Sequence, residues 1–436
     1  MDKLLSLAKK KNEQAELFEV SVTRTPVEFE NNKLKNIKTK EQKSTALRLI
    51  SPDNRLGFCT TTSTEDKAED LLNKARETSQ FGRSFQPSLP KVNPEELDNM
   101  YDQDVMDLPT EKMIEMGEEI VDSIRSKNSE ALASASIEKT QLQVKIKNSE
   151  GLNTEYERTA FSVRGGAMLL VGKSFLRIGQ GKKLPRLFTD LTALKNELMQ
   201  DLHYGSKEKE INSGSYKVIF APEAMSDFMR PILASLNGQS VEKEVSPFKD
   251  KLDQQLFDEK VNLTDMPHRP FSPGMCPVDD EGVPTKETDL IKNGTIKTFP
   301  VDLLTAHSLG VEPTGHGIRQ SPYSLPAPDL HTCVLSPGEM AYHDMIGELD
   351  RGIIIKDLMG AWAGNPYSGE VNGNISLGYL VENGKIIGRI KDCMVAVNVF
   401  EALQNQLVSF SQEAKWIGNR LFPYALLEGI DITAKN

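Results

Sequence analysis

Proline and glycine punctuate the second half of the sequence so densely that short strands and turns are favoured there over long helices. The interruptions include Pro273-Gly274, Pro284, Pro300, Pro313, Pro322, Pro326, Pro328 and Pro337-Gly338. Proline lacks the backbone donor that a helix interior or a central strand needs. Asn293-Gly294 and Asn383-Gly384 each separate two apolar stretches, and this arrangement is the strongest short signal of a β-hairpin. The pattern predicts an antiparallel sheet or open barrel with a few helices.

The first half shows two strand-rich passes with the same order of elements, so a diverged internal duplication is one interpretation. The first pass is predicted at Phe18–Thr25, Lys35–Thr39, Ser44–Ile50 and Leu56–Thr61, and the second at Ala133–Ile146, Asn153–Arg158, Thr159–Val171 and Lys173–Gly179. Helices are predicted at Ser63–Thr78, Pro109–Ser126, Asp190–Asp201, Pro222–Gly238, Pro337–Glu348 and Asn398–Gln406. The fold class is therefore α+β.

Length and charge limit the organisation and the partners. A chain of 436 residues is too long for one ordinary hydrophobic core. A polar stretch near residue 205 predicts an N-terminal α+β domain of residues 1–205 and a C-terminal β-rich domain of residues 206–436. The chain has 52 basic and 63 acidic residues and a formal charge of −11, which argues against a nucleic acid partner because such binders present a basic face.

The sequence also predicts a cytoplasmic protein with no membrane partner. No apolar run approaches the roughly 20 residues that a membrane-spanning helix needs. The first residues lack the longer apolar core and the small-residue cleavage site of a secretion signal. Cys59, Cys276, Cys333 and Cys393 are scattered without a Cys-x-x-Cys pair, which fits reduced thiols. Cys333 lies in an apolar stretch and is interpreted as a buried small side chain rather than a nucleophile.

Several motifs in the second half occur in an order that resembles the TldD/PmbA family, whose members include zinc peptidases and proteins called modulators of DNA gyrase. The motifs are Phe220-Ala221-Pro222-Glu223, Asp279-Asp280-Glu281-Gly282, Ile291-Lys292-Asn293-Gly294, Thr314-Gly315-His316, Leu335-Ser336-Pro337-Gly338-Glu339, Leu358-Met359-Gly360 and Val381-Glu382-Asn383-Gly384. The resemblance covers nearly the whole chain, although the first half agrees more loosely.

One departure from the family motif bears directly on function. TldD-type chains carry His-Glu-x-x-x-His on the helix after the Phe-Ala-Pro-Glu motif, whereas the matching stretch here runs from Arg230 and Pro231 to Ala234 and Ser235. None of these side chains is a usual zinc ligand. The resemblance therefore implies a PmbA (TldE)-like subunit that binds no metal itself. It also implies a TldD-like partner that holds the zinc and a peptide as substrate.

The resemblance also identifies candidate residues for the substrate cleft. His316 lies in a tight glycine turn, Pro313-Thr314-Gly315-His316-Gly317, where the alternative is an exposed turn histidine. Gly360, Trp362, Asn365 and Tyr367 lie in a glycine-rich loop, where glycine allows close backbone approach and the aromatic rings offer contact area. An extended peptide could add a strand to a sheet edge there, and an ordered loop without a ligand is the alternative.

Two other functions remain open from the sequence. In one, the chain is a divergent metal-dependent hydrolase that combines His316 with carboxylates of Asp279–Glu281, although a structural turn is the other interpretation of that acidic segment. In the other, the chain is a homodimeric peptide-binding protein without peptidase activity. Tightly bound zinc in the isolated chain would favour the first, and a stable self-paired dimer would favour the second.

Overall fold

The computed structural model describes residues 2–62, 68–86, 89–91 and 93–435, except for the side chain of Trp362. The helices in these ranges are α1 Asp2–Lys9, α2 Ala68–Ser79, α3 Gln103–Asp107, α4 Thr110–Lys127, α5 Thr192–Gly205, α6 Pro222–Phe228, α7 Arg230–Leu236, α8 Gly238–Glu242, α9 Leu303–Leu309, α10 Tyr342–Gly347 and α11 Val399–Glu401. Within the described part of the chain, no helix is long and apolar enough to cross a membrane.

The strands form two large sheets and one small hairpin. Those of the first sheet are β1 Gln14–Glu30, β2 Lys33–Ile37, β3 Lys40–Ile50, β4 Leu56–Thr61, β5 Leu132–Asn148, β6 Asn153–Val171 and β7 Ser174–Leu184. Those that follow are β8 Glu208–Lys209, β9 Gly214–Phe220, β10 Leu263–Asp265, β11 Thr288–Lys292, β12 Thr295–Ile296, β13 Gly317–Ile318, β14 Ala327–Pro328, β15 Cys333–Leu335, β16 Arg351–Met359, β17 Glu370–Glu382, β18 Lys385–Ile390, β19 Cys393–Asn398, β20 Leu407–Ile417 and β21 Arg420–Ala434.

The first sheet repeats one arrangement on both sides of a central strand pair. Its order is β4-β3-β1-β5-β6-β7, and β1 and β5 are antiparallel neighbours in the middle. Each central strand begins an antiparallel run of three that is followed by a helix, α2 after β4 and α5 after β7. This matches the two predicted passes. The strands predicted at Asn153–Arg158 and Thr159–Val171 are one strand, β6, because β5 pairs with it without a break.

The second sheet contains a closed ring of five strands. β21 pairs with β9, β9 with β16, β16 with β17, β17 with β19, and β19 with β21 again. All these pairs are antiparallel except β9 and β16, which run parallel. The predicted α+β class is confirmed, and the barrel is closed rather than open. Both predicted Asn-Gly hairpins form, with positive φ at each asparagine and each glycine.

The helix predicted over Pro222–Gly238 is interrupted. α6 ends at Phe228 and α7 begins at Arg230, with Pro231 in its first turn. Proline has no N–H to donate to the carbonyl of Asp227, and the first turn of a helix is where such a donor is dispensable. The prediction of one helix is therefore wrong here. The helix predicted at Pro337–Glu348 forms only in its second half, where α10 spans Tyr342–Gly347.

The remaining helix predictions agree closely with the structure. α4 and α5 lie where Pro109–Ser126 and Asp190–Asp201 were predicted. α2 begins at Ala68, and residues 63–67 of the predicted Ser63–Thr78 helix lie outside the described residues. Asn398 caps α11, and the segment continues as a π-helical turn at Ala402–Gln406.

A shared core joins the two large sheets. One apolar cluster contains Val27, Ile137 and Phe161 of the first sheet together with Ile354 and Leu426 of the closed ring. Burial of apolar area at about 25 cal/mol per Å² stabilises such a contact, and it opposes separation of the two halves.

A buried ion pair crosses the same contact. Asp201 of α5 accepts hydrogen bonds from Lys356 of β16 at 2.7 Å, from Tyr379 of β17 at 2.8 Å and from Gln180 of β7 at 2.8 Å. The Asp201 and Lys356 side chains are 4% and 12% exposed, so little water can replace either partner. The carboxylate therefore connects a helix and a strand of the first half to two strands of the ring.

We expect Asp201→Ala to lower the free energy of unfolding by about 3 kcal/mol or more, because it leaves the Lys356 ammonium buried without its counter-charge. The double variant Asp201→Ala/Lys356→Met should recover much of this loss, since neither charge remains. Urea denaturation of the three proteins measures the effect. Equal losses in the single and double variants would contradict the assignment of the loss to the unpaired ammonium.

Candidate functional site

The α7 helix contains the residues expected at the positions of the zinc motif. Arg230 is exposed, Pro231 and Ser235 are buried, and Ala234 is partly buried. Among the described residues, no hydrogen-bond partner is found for the Ser235 hydroxyl. Zinc sites in proteins use thiolate, imidazole and carboxylate ligands, and a catalytic zinc usually has three of them. The donor set at these positions therefore does not fit zinc.

The glycine-rich loop packs beside α8, the short helix that follows α7. Gly360 begins the loop with φ +82°, a backbone conformation that glycine adopts without strain. The Asn365 side chain caps the next turn by accepting from the backbone N–H of Tyr367 at 3.0 Å. The hydroxyls of Tyr367 and Ser240 are hydrogen-bonded at 3.0 Å. The candidate Trp362 side chain lies outside the described residues.

His316 is buried at 1% exposure, so the alternative of an exposed turn histidine is wrong. Its Nδ1 lies 2.9 Å from the Thr314 hydroxyl, and its Nε2 lies 3.2 Å from an Asp265 carboxylate oxygen. Asp265 also accepts from the backbone N–H of Thr332 at 2.6 Å. The imidazole is thus held between its own turn and a buried carboxylate.

The α7–α8 segment lies between the histidine turn and the glycine-rich loop. The Asn237 side chain, just after α7, donates to the carbonyl of Pro328 at 2.6 Å. Pro328 pairs with Gly317, the residue after His316, in the hairpin of β13 and β14. Three residues after Asn237, Ser240 contacts Tyr367. The structure therefore brings His316 and the glycine-rich loop to opposite ends of one short segment.

The acidic turn uses its carboxylates to bind backbone and arginine. One Asp279 oxygen accepts from the N–H groups of Glu281 and Val283 at 2.9 Å each, and the other accepts from Gly317 N–H at 2.9 Å. Glu281 accepts from Leu303 N–H at 2.6 Å and pairs with Arg48. This geometry favours the structural-turn interpretation. Across the described residues, no three His, Cys, Asp or Glu side chains are placed to hold a metal ion together.

A buried Cys276–His331 pair was missed by the sequence reasoning. The thiol lies 3.0 Å from Nδ1 of His331, whose Nε2 donates to the carbonyl of Gly315 at 2.8 Å. Burial raises the pKa of the Cys276 thiol well above its usual range and lowers the pKa of His331. Both groups are therefore neutral. The residues are 55 positions apart, so no local signal could have paired them. Cys333 is buried in β15, as predicted.

Two domain models of one protein family match parts of this chain. A model of the PmbA/TldA metallopeptidase C-terminal domain matches residues 213–434, and one of PmbA/TldA metallopeptidase domain 1 matches residues 15–79. The first match alone spans more than half of the 436 residues. The chain therefore belongs to the PmbA/TldD metallopeptidase family, as its motifs predict.

Individual proteins agree with this assignment. An uncharacterized protein of Methanocaldococcus jannaschii is 22% identical over 98% of this chain and 99% of its own length. A metalloprotease PmbA homolog of Buchnera aphidicola is 24% identical over 66% of this chain and 62% of its own length. The crystal structure of TldE from Thermococcus kodakarensis superposes with a TM-score of 0.91, at 23% identity and with 100% of both chains covered. That last match establishes the fold.

Asp302, which lies near Glu281 of the acidic turn, should make the stability of the protein depend on pH. This N-cap residue of α9 accepts from Thr305 N–H at 2.8 Å, and burial followed by the nearby charge of Glu281 raises its pKa to about 6. The folded state therefore binds more protons than the unfolded state between about pH 4 and pH 6. Stability falls as the pH rises through this window, and the destabilisation is complete above it. Its size is at most about 3 kcal/mol.

We expect Asp302→Asn to raise the free energy of unfolding by about 1–3 kcal/mol at pH 8, because asparagine keeps the cap without the charge. The difference from the unsubstituted protein should shrink to about a third near pH 4.5, because the unfolded carboxyl is still mostly ionised at that pH. Asp289→Asn is the matched control with the opposite sign, because Lys292 lowers the pKa of Asp289. Denaturation at both pH values tests this. A stabilisation by Asp302→Asn that is the same at pH 8 and pH 4.5 would contradict it.

Proposed function

We propose that this chain is a PmbA (TldE)-like subunit without catalytic zinc, which shapes the peptide-binding chamber of a metallopeptidase complex. In this proposal a TldD-like partner with His-Glu-x-x-x-His holds the zinc and cleaves the peptide. The observation that carries the proposal is the α7 helix, where Arg230, Pro231 and Ser235 stand in place of the motif's histidine, glutamate and second histidine. The sequence contains no His-Glu-x-x-x-His elsewhere.

Pro231 carries most of the chemical argument. A catalytic zinc ion activates a bound water that a nearby general base helps to deprotonate, and in the family motif a glutamate occupies this slot. The proline side chain offers no proton acceptor, and Pro231 is buried. Ser235 is buried too, so a zinc ion could not reach its hydroxyl without rearrangement of the helix.

The surroundings of α7 are consistent with a binding role. The glycine-rich loop is tied to α8 through Tyr367, and the histidine turn is tied to the same segment through Asn237. A loop that is fixed at such points can present backbone groups to an extended peptide without first being ordered, which lowers the entropic cost of binding. Gly360, Asn365 and Tyr367 are the residues that would contribute to this surface.

The test is purification of the tagged full-length chain from its native cells, with partners identified by mass spectrometry and metal measured in the eluate. We expect a similar-sized chain bearing His-Glu-x-x-x-His in about equal amount, with zinc present only when that chain is present. The matched control is the same tagged chain produced alone in a heterologous host.

Two outcomes would contradict the proposal. Recovery of this chain only, as a stable dimer, would favour a homodimeric peptide-binding protein. Stoichiometric zinc in the chain produced alone would favour a divergent metal-dependent hydrolase and would require ligands other than those of α7.

A further inference from the structure

A cavity of about 350 Å³ lies between the first sheet and the loops of the second half. One wall is apolar and is formed by side chains of β1 and β5 that include Val22, Leu142 and Val144. The cavity is also lined by three arginines, Arg24 of β1 and Arg158 of β6 on the sheet and Arg319 in the loop that follows β13. A volume near the lower end of the range for small-ligand sites suits one or two amino acid residues of a peptide.

The three arginines differ in how their charges are balanced. Arg319 is paired with Glu16 at 3.3 Å and also donates to the carbonyl of Ser324 at 2.6 Å. Arg158 donates one hydrogen bond, to the carbonyl of Met275 at 3.0 Å. Within the described residues, neither Arg24 nor Arg158 has a carboxylate within ion-pair distance. The guanidinium groups of Arg24 and Arg158 therefore line this cavity with N–H donors that are available to a ligand.

The rest of the cavity wall does not cancel that charge. Asp280 lines the cavity, but one of its oxygens accepts from the backbone N–H of Arg319 at 2.7 Å. The Cys276–His331 pair is neutral, as described above. The positive charges of Arg24 and Arg158 thus outweigh the single carboxylate of Asp280.

Further cations extend from the cavity along the same face of the sheet. Successive strand residues alternate between faces, so Arg158, Ser162 and Arg164 of β6 share one face. Lys183 of β7 is the cross-strand partner of Ser162, so it lies on this face. Arg24 of β1 pairs with Thr140 of β5, and Thr140 pairs with Ala160 of β6, so Arg24 lies on the same face. Arg24, Arg164 and Lys183 are exposed.

The electrostatics agree with this placement. Partial desolvation lowers the pKa of Lys183, the charge of Glu138 opposes this, and the charges of Arg158, Arg24 and Arg164 lower the pKa further. Glu138 lies on the same face, since it pairs with Ser162, but it is one carboxylate beside four cations. The excess of like charge costs free energy in the unbound protein. A basic cluster on a chain with a formal charge of −11 is therefore best explained by an anionic ligand.

We propose that the cavity and the basic rim formed by Arg24, Arg158, Arg164 and Lys183 bind an acidic segment of a peptide, with a carboxylate side chain entering beside Arg24 and Arg158. This inference rests on the proposed function, because it names the class of peptide that the subunit holds. Guanidinium groups bind carboxylates through paired hydrogen bonds, and the apolar wall takes the methylene groups of the same side chain.

A peptide fits these features better than a nucleic acid. The apolar wall of Val22, Leu142 and Val144 has no counterpart in a phosphate backbone. The net charge of −11 acts on an acidic peptide and on an oligonucleotide alike, so the apolar wall is the feature that favours the peptide. The test below includes single-stranded DNA as the competing ligand.

The test measures binding of three labelled probes to the full-length chain by fluorescence anisotropy. The probes are a twelve-residue peptide of glutamate and valine, the same peptide with glutamine for glutamate, and a twelve-nucleotide single-stranded DNA. The variant Arg24→Gln/Arg158→Gln removes both cavity charges. The matched control Arg125→Gln/Lys127→Gln removes two exposed charges from the end of α4, on the opposite side of the sheet.

We expect the glutamate peptide to bind about tenfold more tightly than the glutamine peptide, and Arg24→Gln/Arg158→Gln to weaken it about tenfold with no change in the control. If the double variant fails to fold, Arg24→Glu serves instead, because Arg24 is exposed and has no ion-pair partner among the residues that the structure describes. Equal binding of the two peptides, or equal binding to the protein and its cavity variant, would overturn the proposal. So would tighter binding of the DNA that the cavity variant abolishes.

The two proposals can fail separately. If a motif-bearing chain co-purifies but the glutamate peptide is not preferred, the subunit assignment stands and the acidic-peptide site does not. If the peptide binds as expected and no partner co-purifies, the site stands and the subunit assignment fails.

Discussion

The buried pairing of Glu16, Arg48 and Glu281 is the interaction on which the arrangement of the two halves depends. Arg48 lies on β3 of the first sheet and bonds both carboxylates, one from β1 and one from the acidic turn of the second half. Removing Arg48 would leave two buried carboxylates without their shared counter-charge, which costs several kcal/mol. The pairing therefore fixes which surface of the first sheet the second half covers. The acidic turn then positions the backbone of Gly317 and, with it, the histidine turn.

The contact between the two halves also determines which polar groups are buried and which are accessible to a ligand. His316 and the Cys276–His331 pair are buried and bond within the second half, and the pair also forms part of the cavity wall. Where the meeting is looser, along the outer part of β1, β5 and β6, a cavity remains with arginines at its edge. The side chains at α7 do not fit zinc, whereas the helix and the neighbouring loop are well formed. The proposed supporting role requires this combination.

The sequence predicted the elements better than it predicted their meeting points. Strands with alternating polarity and the Asn-Gly hairpins were readable because their signals are local. The break near Pro231 was partly foreseeable from the missing proline donor, yet the apolar spacing over Pro222–Gly238 favoured one helix. His316 could be placed in a tight turn but not in the core, since its burial depends on Asp265, 51 positions earlier. The basic cavity draws on residues from Arg24 to Asn419, so it emerges only from the folded chain.

The strand β21 closes the ring and also pairs with β15 and β20, so it has four partner strands. It follows β9, which it joins, by some two hundred residues of sequence, and long separations of this kind slow folding. During synthesis on the ribosome, β9 and β19 emerge with unpaired edges and wait for β21 to arrive. Open edges of this kind favour pairing with other chains. Protection of the nascent polypeptide by chaperones is therefore most needed in the interval before β21 leaves the exit tunnel.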